Sequence, residues 1–366
     1  MRSISLKKFN SILLCGVLLC AILYFAKKVL VPITFAAFFA MLFVPMCNFL
    51  EKKKIHKAIT ALISVLITLA IGLGIIFLVY QQGKELAEQF PGMQKKSEKM
   101  IQQAESYVEN KFDIPKEQQE QIVMKEAKKL SESSSGFIQK SFIGFMDFCA
   151  ATVLTIIFMF LFLYQREKYE SFFIMLSRNP STEQTKKMIN NISKVSAQYL
   201  RGRVLSIIIF TVCFTTGFLI VGLKGAFFLA FVSALLTIIP YIGSIIGGLF
   251  PFAIALVTED SSGAAVGALA VVLIVQGIDN YFVEPYIIGG QVNVSAFFTI
   301  LILFIGGLLW GVAGMILFIP MLGVFKIICD SIPDLNPYGY LIGDQKEIKG
   351  ESKIVKWLKK KFKKAQ

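Results

Sequence analysis

Histidine, charge and the motifs of soluble enzymes are scarce in this chain of 366 residues. The single histidine, His56, lies among lysines in a loop, so histidine-based catalysis and histidine-rich metal sites are excluded. None of the six cysteines belongs to a CxxC pair, and all lie in or beside apolar stretches, as small buried side chains do. The chain also lacks a Walker A loop, a GxGxxG fingerprint after a strand, an HExxH motif and a GxSxG motif. We therefore predict that the protein is not an enzyme and holds no metal and no cofactor.

Charged residues make up only 17% of the chain, whereas soluble domains average about 25%. Hydrophobic residues account for 55% and cluster in long uncharged runs. This pattern predicts an all-α polytopic membrane protein whose first partner is the lipid bilayer. The net charge of +14 does not indicate a nucleic-acid partner, because the basic residues concentrate in short loops and in the tail. Such clusters are typical of the cytoplasmic flanks of membrane helices.

The apolar runs divide the chain into about eight transmembrane helices and three polar segments. The insert is rich in lysine and glutamate, is interrupted by Pro91-Gly92 and Asp113-Ile114-Pro115, and predicts a small helical extramembrane element. The predicted units are residues 1–80 with three spans, 81–140 as the charged extracytoplasmic insert, 141–164 as the fourth span, 165–203 as a basic amphipathic cytoplasmic segment, 204–330 with four spans, and 331–366 as a basic cytoplasmic tail.

The distribution of basic residues predicts the orientation. With both termini cytoplasmic, the inside segments contain 25 Lys and Arg and the short outside loops contain 3. The charged insert is left out of this comparison because long loops do not follow the positive-inside rule. The pair Lys27-Lys28 is the one cluster on the wrong side.

Two uncharged runs of 34 residues each, Gly225–Thr258 and Val292–Phe325, have the wrong length for membrane helices. One span needs about 20 residues, so each run is too long for one and short for two. The first contains the stretch IPYIGSIIGGLFP, Ile239–Pro251, in which prolines remove backbone donors and glycines add no bulk. Non-helical backbone at membrane depth must be buried in protein or line a wet cavity. The stretch is either a kinked span or a re-entrant element, and the spacing leaves both open.

Glycine- and proline-interrupted segments point to the midplane site of secondary transporters. A competing explanation is helix packing through GxxxG faces. On the first reading, three residues of the break line a solute pathway: Pro240, Tyr241 and Gly243. The other predicted structural breaks are Gly247, Gly248, Pro251, Pro285, Gly306, Gly311, Gly314 and Pro320.

Between the two runs lies a polar segment, Gln276–Pro285, which reads QGIDNYFVEP. A carboxylate inside a membrane span is expensive and marks a functional hypothesis. We predict that Gln276, Asp279, Asn280 and Glu284 contact a small polar solute, a proton or a sodium ion. The alternative is that the two carboxylates lie near the outer interface, where they are hydrated or paired with lysine. The basic residues Arg201 and Arg203 anchor the fifth span, with attraction of an anionic solute as the weaker alternative.

The motifs occur in an order that resembles the autoinducer-2 exporter family of bacterial membrane permeases. They are QYLRG before a span, then Gly222, IPYIGSIIGG, Gln-x-x-Asp-Asn followed by Glu-Pro, and GGLLWGVAGMILFIP. The resemblance implies about eight spans in the bacterial cell membrane, cytoplasmic termini and a homo-oligomer such as a pentamer. It also implies export of a quorum-sensing furanone, or sodium/proton antiport in some relatives. Where the family often has a His-Pro pair before the last span, this chain has Val294-Ser295-Ala296, so a mechanism through that histidine does not carry over.

The leading functional hypothesis is therefore a secondary permease that exports a small polar metabolite such as an autoinducer-2 type signal. The alternatives are a cation/proton antiporter that uses Asp279 or Glu284, and a membrane scaffold that binds partners through its insert and basic helix.

Overall fold

The structure is a computed structural model that describes residues 6–87, 144, 146–176, 182–240, 242–259, 262–288 and 293–344. The predicted insert beyond residue 87 and the basic tail beyond residue 344 lie outside the described residues. Within the described part, the chain is helical and contains no strand. The prediction of an all-α polytopic membrane protein is confirmed.

The helices follow from the long apolar runs and end at glycine, proline or charged turns. In chain order they are α1 (Leu6–Phe25), α2 (Lys27–Lys52), α3 (Lys57–Ala87), α4 (Met146–Tyr164), α5 (Arg166–Leu176), α6 (Thr182–Val221), α7 (Ala226–Leu236), α8 (Ile242–Thr258), α9 (Ser262–Ile278), a π-helix (Asp279–Ile288), α10 (Ala296–Trp310), α11 (Val312–Ser331), a 3₁₀ turn (Pro333–Leu335) and α12 (Asn336–Ile342).

Among these described helices, six are long and apolar enough to cross a membrane. They comprise α2, α3, α4, α6, α11, and α9 together with the start of the π-helix. Four shorter apolar helices lie in α1, α7, α8 and α10. The two 34-residue runs thus hold four helices, where the sequence predicted one span in each.

The bundle has two ends, which two sets of ion pairs mark. At the Lys28 end, the turn between α1 and α2 meets the start of α4, where Lys28 Nζ lies 3.2 Å from Asp147 Oδ1. At the Glu51 end, the turn between α2 and α3 meets the junction of α4 and α5, where Arg166 pairs with Glu51. Lys28, one of the two lysines that do not fit the predicted orientation, therefore has a carboxylate partner.

The first 34-residue run is a re-entrant hairpin that enters and leaves at the Lys28 end. Gly222 and Gly225 have φ of 83° and 67° in the turn that leads from α6 into α7. The backbone N–H of Lys224 in that turn donates to Glu259 Oε1 just beyond α8, at 2.9 Å. The two ends of the run therefore lie side by side. The run does not cross as a sixth span, and of its two predicted forms the re-entrant one is found.

The second run is also a hairpin, with its turn at Gly311, where φ is 61° and ψ is −140°. Trp310 Nε1 donates to Leu23 O near the end of α1, at 2.9 Å, so this turn lies toward the Lys28 end. A β-carbon on Gly306 would lie 2.6 Å from the carbonyl oxygen of Gly314, so α10 and α11 touch through their backbones. This hairpin therefore opens toward the Glu51 end, opposite to the first.

The predicted breaks are fewer than expected. Helix α8 runs unbroken through Gly247, Gly248 and Pro251, and α11 runs through Gly314 and Pro320. Gly306 likewise lies inside α10. These glycines allow close approach between helices, as the packing alternative predicts. Among the predicted breaks, the chain reverses its direction just before α8 and at Gly311.

Re-entry of the first run reverses the direction of the span that follows it. Side chains of α9 fill glycine gaps of α6 in antiparallel order, with Val271 against Gly217 and Val221 against Gly267. The polar end of α9 is therefore at the Glu51 end, beside the beginning of the α6 span. At that end Asp279 is half-buried and Glu284 is exposed, and the alternative that the two carboxylates lie near the outer interface stays a prediction.

A buried lysine joins the end of the second hairpin to the short helix α12. Lys326 is only 8% exposed and donates to Asp330. A β-carbon on Gly343 would lie 2.9 Å from Lys326 Cε. Residues that precede α10 close the same end, since Ser295 N donates to Ile342 O at 2.9 Å. The C-terminal segment thus packs over the open end of the hairpin.

Asp330→Asn is expected to destabilise the protein more than Lys326→Met. The first variant leaves a buried ammonium without a counter-ion, which costs about 1–2 kcal/mol at this half-exposed partner. The second replaces the charge by an unbranched apolar chain of similar length and should stay within about 1 kcal/mol of wild type. Thermal unfolding of the purified protein in detergent compares the two. A larger loss for Lys326→Met would contradict the assignment of the lysine as the buried member.

Candidate functional site

The break in the first hairpin is a short stretch of non-helical backbone at its tip. It covers residues 237–240 between α7 and α8, and Tyr241 lies outside the described residues. The amide of Ile242 donates to Pro240 O at 2.7 Å, and that of Gly243 donates to Ile239 O at 2.9 Å. The first bond is a tight turn and the second already has the i→i−4 spacing of the following helix, and the interruption falls at Pro240, which has no N–H to continue α7.

Two glycines let the arms of this hairpin touch just above the tip. A β-carbon on Gly243 would overlap the carbonyl oxygen of Leu236 on the opposite arm. One on Gly247 would lie 2.8 Å from Ser233 O. Contacts this short exclude any side chain, so the hairpin is a closed, backbone-to-backbone unit.

The polar segment after α9 forms a π-helix over Asp279–Ile288. Pro285 lies within this wider turn. A proline inside a regular α-helix would remove one hydrogen bond and clash with the preceding turn, which favours a widened helix here. π-Helical turns are rare and often occur at functional sites. The predicted break at Pro285 is therefore a change of helix type within a continuous helical segment.

The polar side chains of this segment differ in exposure. Asp279 and Gln276 are half-buried, Asn280 and Glu284 are exposed, and Val283 between them is 4% exposed in the hydrophobic core. Gln276 Nε2 donates to Asn280 Oδ1 at 3.4 Å. The segment thus has one anchoring apolar side chain and a set of amide and carboxylate groups on its accessible surface.

The hairpin tip and the polar segment lie at the same depth. Helix α9 packs antiparallel to α8, and Val272 fills the space at Gly248. Ile242, the first residue of α8, lies six residues before Gly248, and Ile278, the last residue of α9, lies six residues after Val272. Because the two helices are antiparallel, Ile242 and Ile278 lie at the same level. The broken backbone therefore ends where the π-helix begins.

Helix α6 adds a cation, Arg203, which the sequence predicts as an anchor of the fifth span. The carboxylate of Asp279 lies within electrostatic range of Glu284 and, more weakly, of the Arg203 guanidinium, with which it forms no ion pair within 4 Å. Arg203 Cζ lies 5.5 Å from the ring centroid of Tyr199, and its Nε is 3.5 Å from Tyr199 Oη. Tyr199 and Arg203 are four positions apart in the sequence, a spacing that places both on one helix face and indicates this contact.

Tyr199 also ties this site to the second hairpin. It is 2% exposed and packs in one cluster with Leu303 of α10 and Ile319 of α11. Ile242 at the tip of the first hairpin belongs to the same cluster. The tip of the first hairpin thus reaches the middle of the second, although the predicted residues Gly306, Gly311, Gly314 and Pro320 themselves line the second hairpin and not the polar segment.

The arrangement brings together several groups that form hydrogen bonds and ion pairs. It offers one guanidinium, two carboxylates, two amides and the broken backbone near Pro240. No group of three or more metal-ligating side chains occurs in the part of the chain that the structure describes.

The family model described as "AI-2E family transporter" matches residues 13–334. A relative from Bacillus subtilis, "Putative transport protein YueF", is 36% identical over 141 residues, which is 38% of this chain and 37% of the relative. A second Bacillus subtilis relative, "Putative transport protein YrrI", is 29% identical over 38% of this chain and 39% of its own length. A relative from Alkalihalophilus pseudofirmus with the same description is 26% identical over 318 residues and 80% of both chains. The matched regions span less than half the length of the first two relatives.

Proposed function

Because the chain belongs to the AI-2E transporter family, it is a multi-pass membrane transporter, and we propose that it exports a small polar metabolite through the site between the first hairpin and the polar segment. The solute class is a hydroxylated signal of the autoinducer-2 type. Pro240 and Gly243 at the break, with Gln276, Asp279, Asn280 and Glu284, form the solute contacts. The transporter works as a homo-oligomer in the bacterial cell membrane.

One observation carries this proposal: broken backbone and polar side chains meet at one depth inside a hydrophobic bundle. The antiparallel register of α8 and α9 through Gly248 and Val272 supports it. Unsatisfied backbone groups are tolerated within a membrane only against protein or a wet cavity. Opposed hairpins with interrupted helices are the kind of element that forms solute sites in secondary transporters.

The orientation proposed for the bundle places the Glu51 end in the cytoplasm. The turn between α2 and α3, with Lys52, Lys53, Lys54 and Lys57, and the junction of α4 and α5, with Arg166 and Lys168, lie at this end, as positive-inside topology requires. The polar segment then lies on the cytoplasmic half of the site, where an exporter takes up its solute.

Gln276→Ala and Asn280→Ala are each expected to lower transport about fivefold, because one neutral hydrogen bond to the solute is worth roughly 1 kcal/mol. Accumulation of an autoinducer-2 type furanone in everted membrane vesicles measures the rate. Asn190→Ala, which removes an exposed amide from α6 away from the site, is the matched control and should leave the rate unchanged. Equal rates in all three variants would place the solute elsewhere.

A cation/proton antiporter is the second candidate, and the paired carboxylates favour it. Asp279 and Glu284 are five residues apart in a π-helix, whose hydrogen bonds join residues at that spacing, and they interact electrostatically. One carboxylate could then exchange a proton for sodium while Arg203 balances the other charge. A sodium-dependent pH change in everted vesicles distinguishes this function from export of a neutral solute.

A further inference from the structure

A second polar feature lies at the Glu51 end, away from the hairpins. Helices α3 and α5 begin side by side there, and a pocket of about 420 Å³ opens between their first turns. It is lined by His56, Lys57, Tyr164, Gln165, Glu167 and Lys168. We call it the α3–α5 pocket.

The charges and donors of the α3–α5 pocket favour an anion. Lys57 pairs with Glu167 at 2.6 Å, whereas Lys168 adds a positive charge at the rim. His56 Nδ1 accepts a hydrogen bond from Ala58 N at 3.2 Å, so in the neutral ring Nε2 carries the hydrogen and can donate. Most amides of these first turns already have partners, since Ala58 N donates to His56 Nδ1, Thr60 N to His56 O and Lys168 N to Gln165 O, but the two helix starts still carry positive partial charge.

The adjoining turn between α2 and α3 adds positive charge and contains a residue with an unfavourable backbone dihedral. Lys54 has φ of 66°, a conformation that disfavours L side chains and is usually occupied by glycine at a helix end. Lys52 and Lys53 precede it. This turn places three consecutive lysines shortly before the pocket residue His56 in the chain, with Lys53 Nζ 4.6 Å from the ring centroid of Phe49.

Apolar side chains place the α3–α5 pocket at the depth of lipid headgroups. Helix α5 follows directly on the α4 span and exposes Phe172, Phe173, Met175 and Leu176, at 56%, 49%, 83% and 65%. Exposed aromatic and aliphatic side chains on a short helix with charged neighbours are typical of a segment that lies in the membrane interface. Tyr164, 45% exposed at the end of α4, occupies the usual position of an interfacial tyrosine.

We infer that the α3–α5 pocket binds the phosphate of an anionic glycerophospholipid whose acyl chains lie against α5. The headgroup phosphate accepts from His56 Nε2 and from the ammonium of Lys168, and the lysines of the adjoining turn and the positive partial charge of the two helix starts attract it. Basic pockets at the cytoplasmic ends of membrane helices bind anionic headgroups in this way. The site is separate from the transport site and does not depend on which solute is carried.

Native mass spectrometry of the purified full chain, mixed with phosphatidylglycerol and phosphatidylcholine, tests the inference. Wild type should retain phosphatidylglycerol selectively, and Lys168→Gln should reduce this retention about fivefold, as expected for one lysine at a membrane surface. Lys186→Gln removes an exposed lysine of α6 away from the pocket and is the matched control. Equal losses for the two lysine variants, or equal retention of both lipids by wild type, would overturn the assignment.

Glu167→Gln provides an independent test of opposite sign. It removes the one carboxylate of the pocket, so retention of phosphatidylglycerol should rise, whereas a site without a bound anion would show no increase. Its ion pair with Lys57 is largely exposed, so the variant should fold normally. Millimolar inorganic phosphate should not displace the lipid, because it lacks the acyl contacts with α5. Displacement by inorganic phosphate would show a free-phosphate site and overturn the lipid assignment.

Discussion

Gly243→Ala is expected to lower the free energy of unfolding by about 3 kcal/mol or more and to abolish transport. The added β-carbon would overlap the carbonyl oxygen of Leu236 across the tip of the first hairpin. Overpacking that is relieved by side-chain movement costs about 1–3 kcal/mol, but here the obstacle is backbone and cannot rotate away. The hairpin would have to open, which exposes broken backbone inside the membrane.

Gly277→Ala is the matched control for this variant. Gly277 lies at the same depth on α9, and no heavy atom lies within 4 Å of its added β-carbon. Alanine is a better helix former than glycine by about 1 kcal/mol, so the control should be neutral or slightly stabilising. Thermal unfolding in detergent and vesicle transport are measured for both variants. Equal midpoints would show that the hairpin arms are not closed against each other.

Asp279→Asn is expected to lower transport at least about tenfold while leaving the protein folded. The carboxylate is half-buried, interacts with Arg203 and lies at the level of the hairpin tip. A charge-assisted hydrogen bond contributes about 1.5–3 kcal/mol, so its loss from a solute or ion contact corresponds to roughly ten- to hundredfold in rate. Asparagine keeps the shape, which limits the change to charge.

Asp147→Asn is the control for the Asp279 variant, because it removes a carboxylate from an exposed ion pair at the Lys28 end. Exposed pairs contribute at most about 1 kcal/mol, so its transport should match wild type. The Arg203→Gln variant and the double variant complete the cycle. If Arg203 and Asp279 act together, the losses should be less than additive. Full transport by Asp279→Asn would rule out this carboxylate as a contact.

The same variant separates the two candidate functions. In an antiporter, Asp279→Asn lowers or removes the sodium-dependent pH change in everted vesicles, because one of the two carboxylates of the exchange site is gone. In a permease for a neutral solute, wild type shows no such pH change, and only solute accumulation falls in the variant. Measurement of both signals on one vesicle preparation assigns the coupling.

Much of the fold could be predicted from composition and charge. The long uncharged runs identify the spans at α2, α3, α4 and α6, because a membrane helix needs about 20 apolar residues in sequence. The positions of chain reversal were partly predictable too, since Pro240 and Gly311 are the residue types that end helices. Glycines inside α8 and α11 looked the same in the sequence but serve close packing, because a glycine tolerates both uses.

The candidate site was predictable in its residues more than in its arrangement. Hydropathy alone reveals a polar segment inside an apolar region, so the sequence predicts Gln276 and Asp279 as solute contacts. The sequence predicts Arg203 only as an anchor of the fifth span, because the local pattern of α6 does not show which later segment packs beside it. Its relation to Asp279 depends on 75 residues of intervening chain folding back.

The sequence by itself determined that this protein is an all-α membrane bundle and marked the glycines and prolines among which its breaks are found, since both follow from local transfer energies and local dihedral limits. Only the tertiary structure decided that the run containing Ile239–Pro251 re-enters and does not cross. An apolar run has the same transfer energy whether it crosses once or turns back, and the choice rests on contacts between distant residues. Here those contacts are Lys224 with Glu259 at the open end of the hairpin, and Gly243 against Leu236 at its tip.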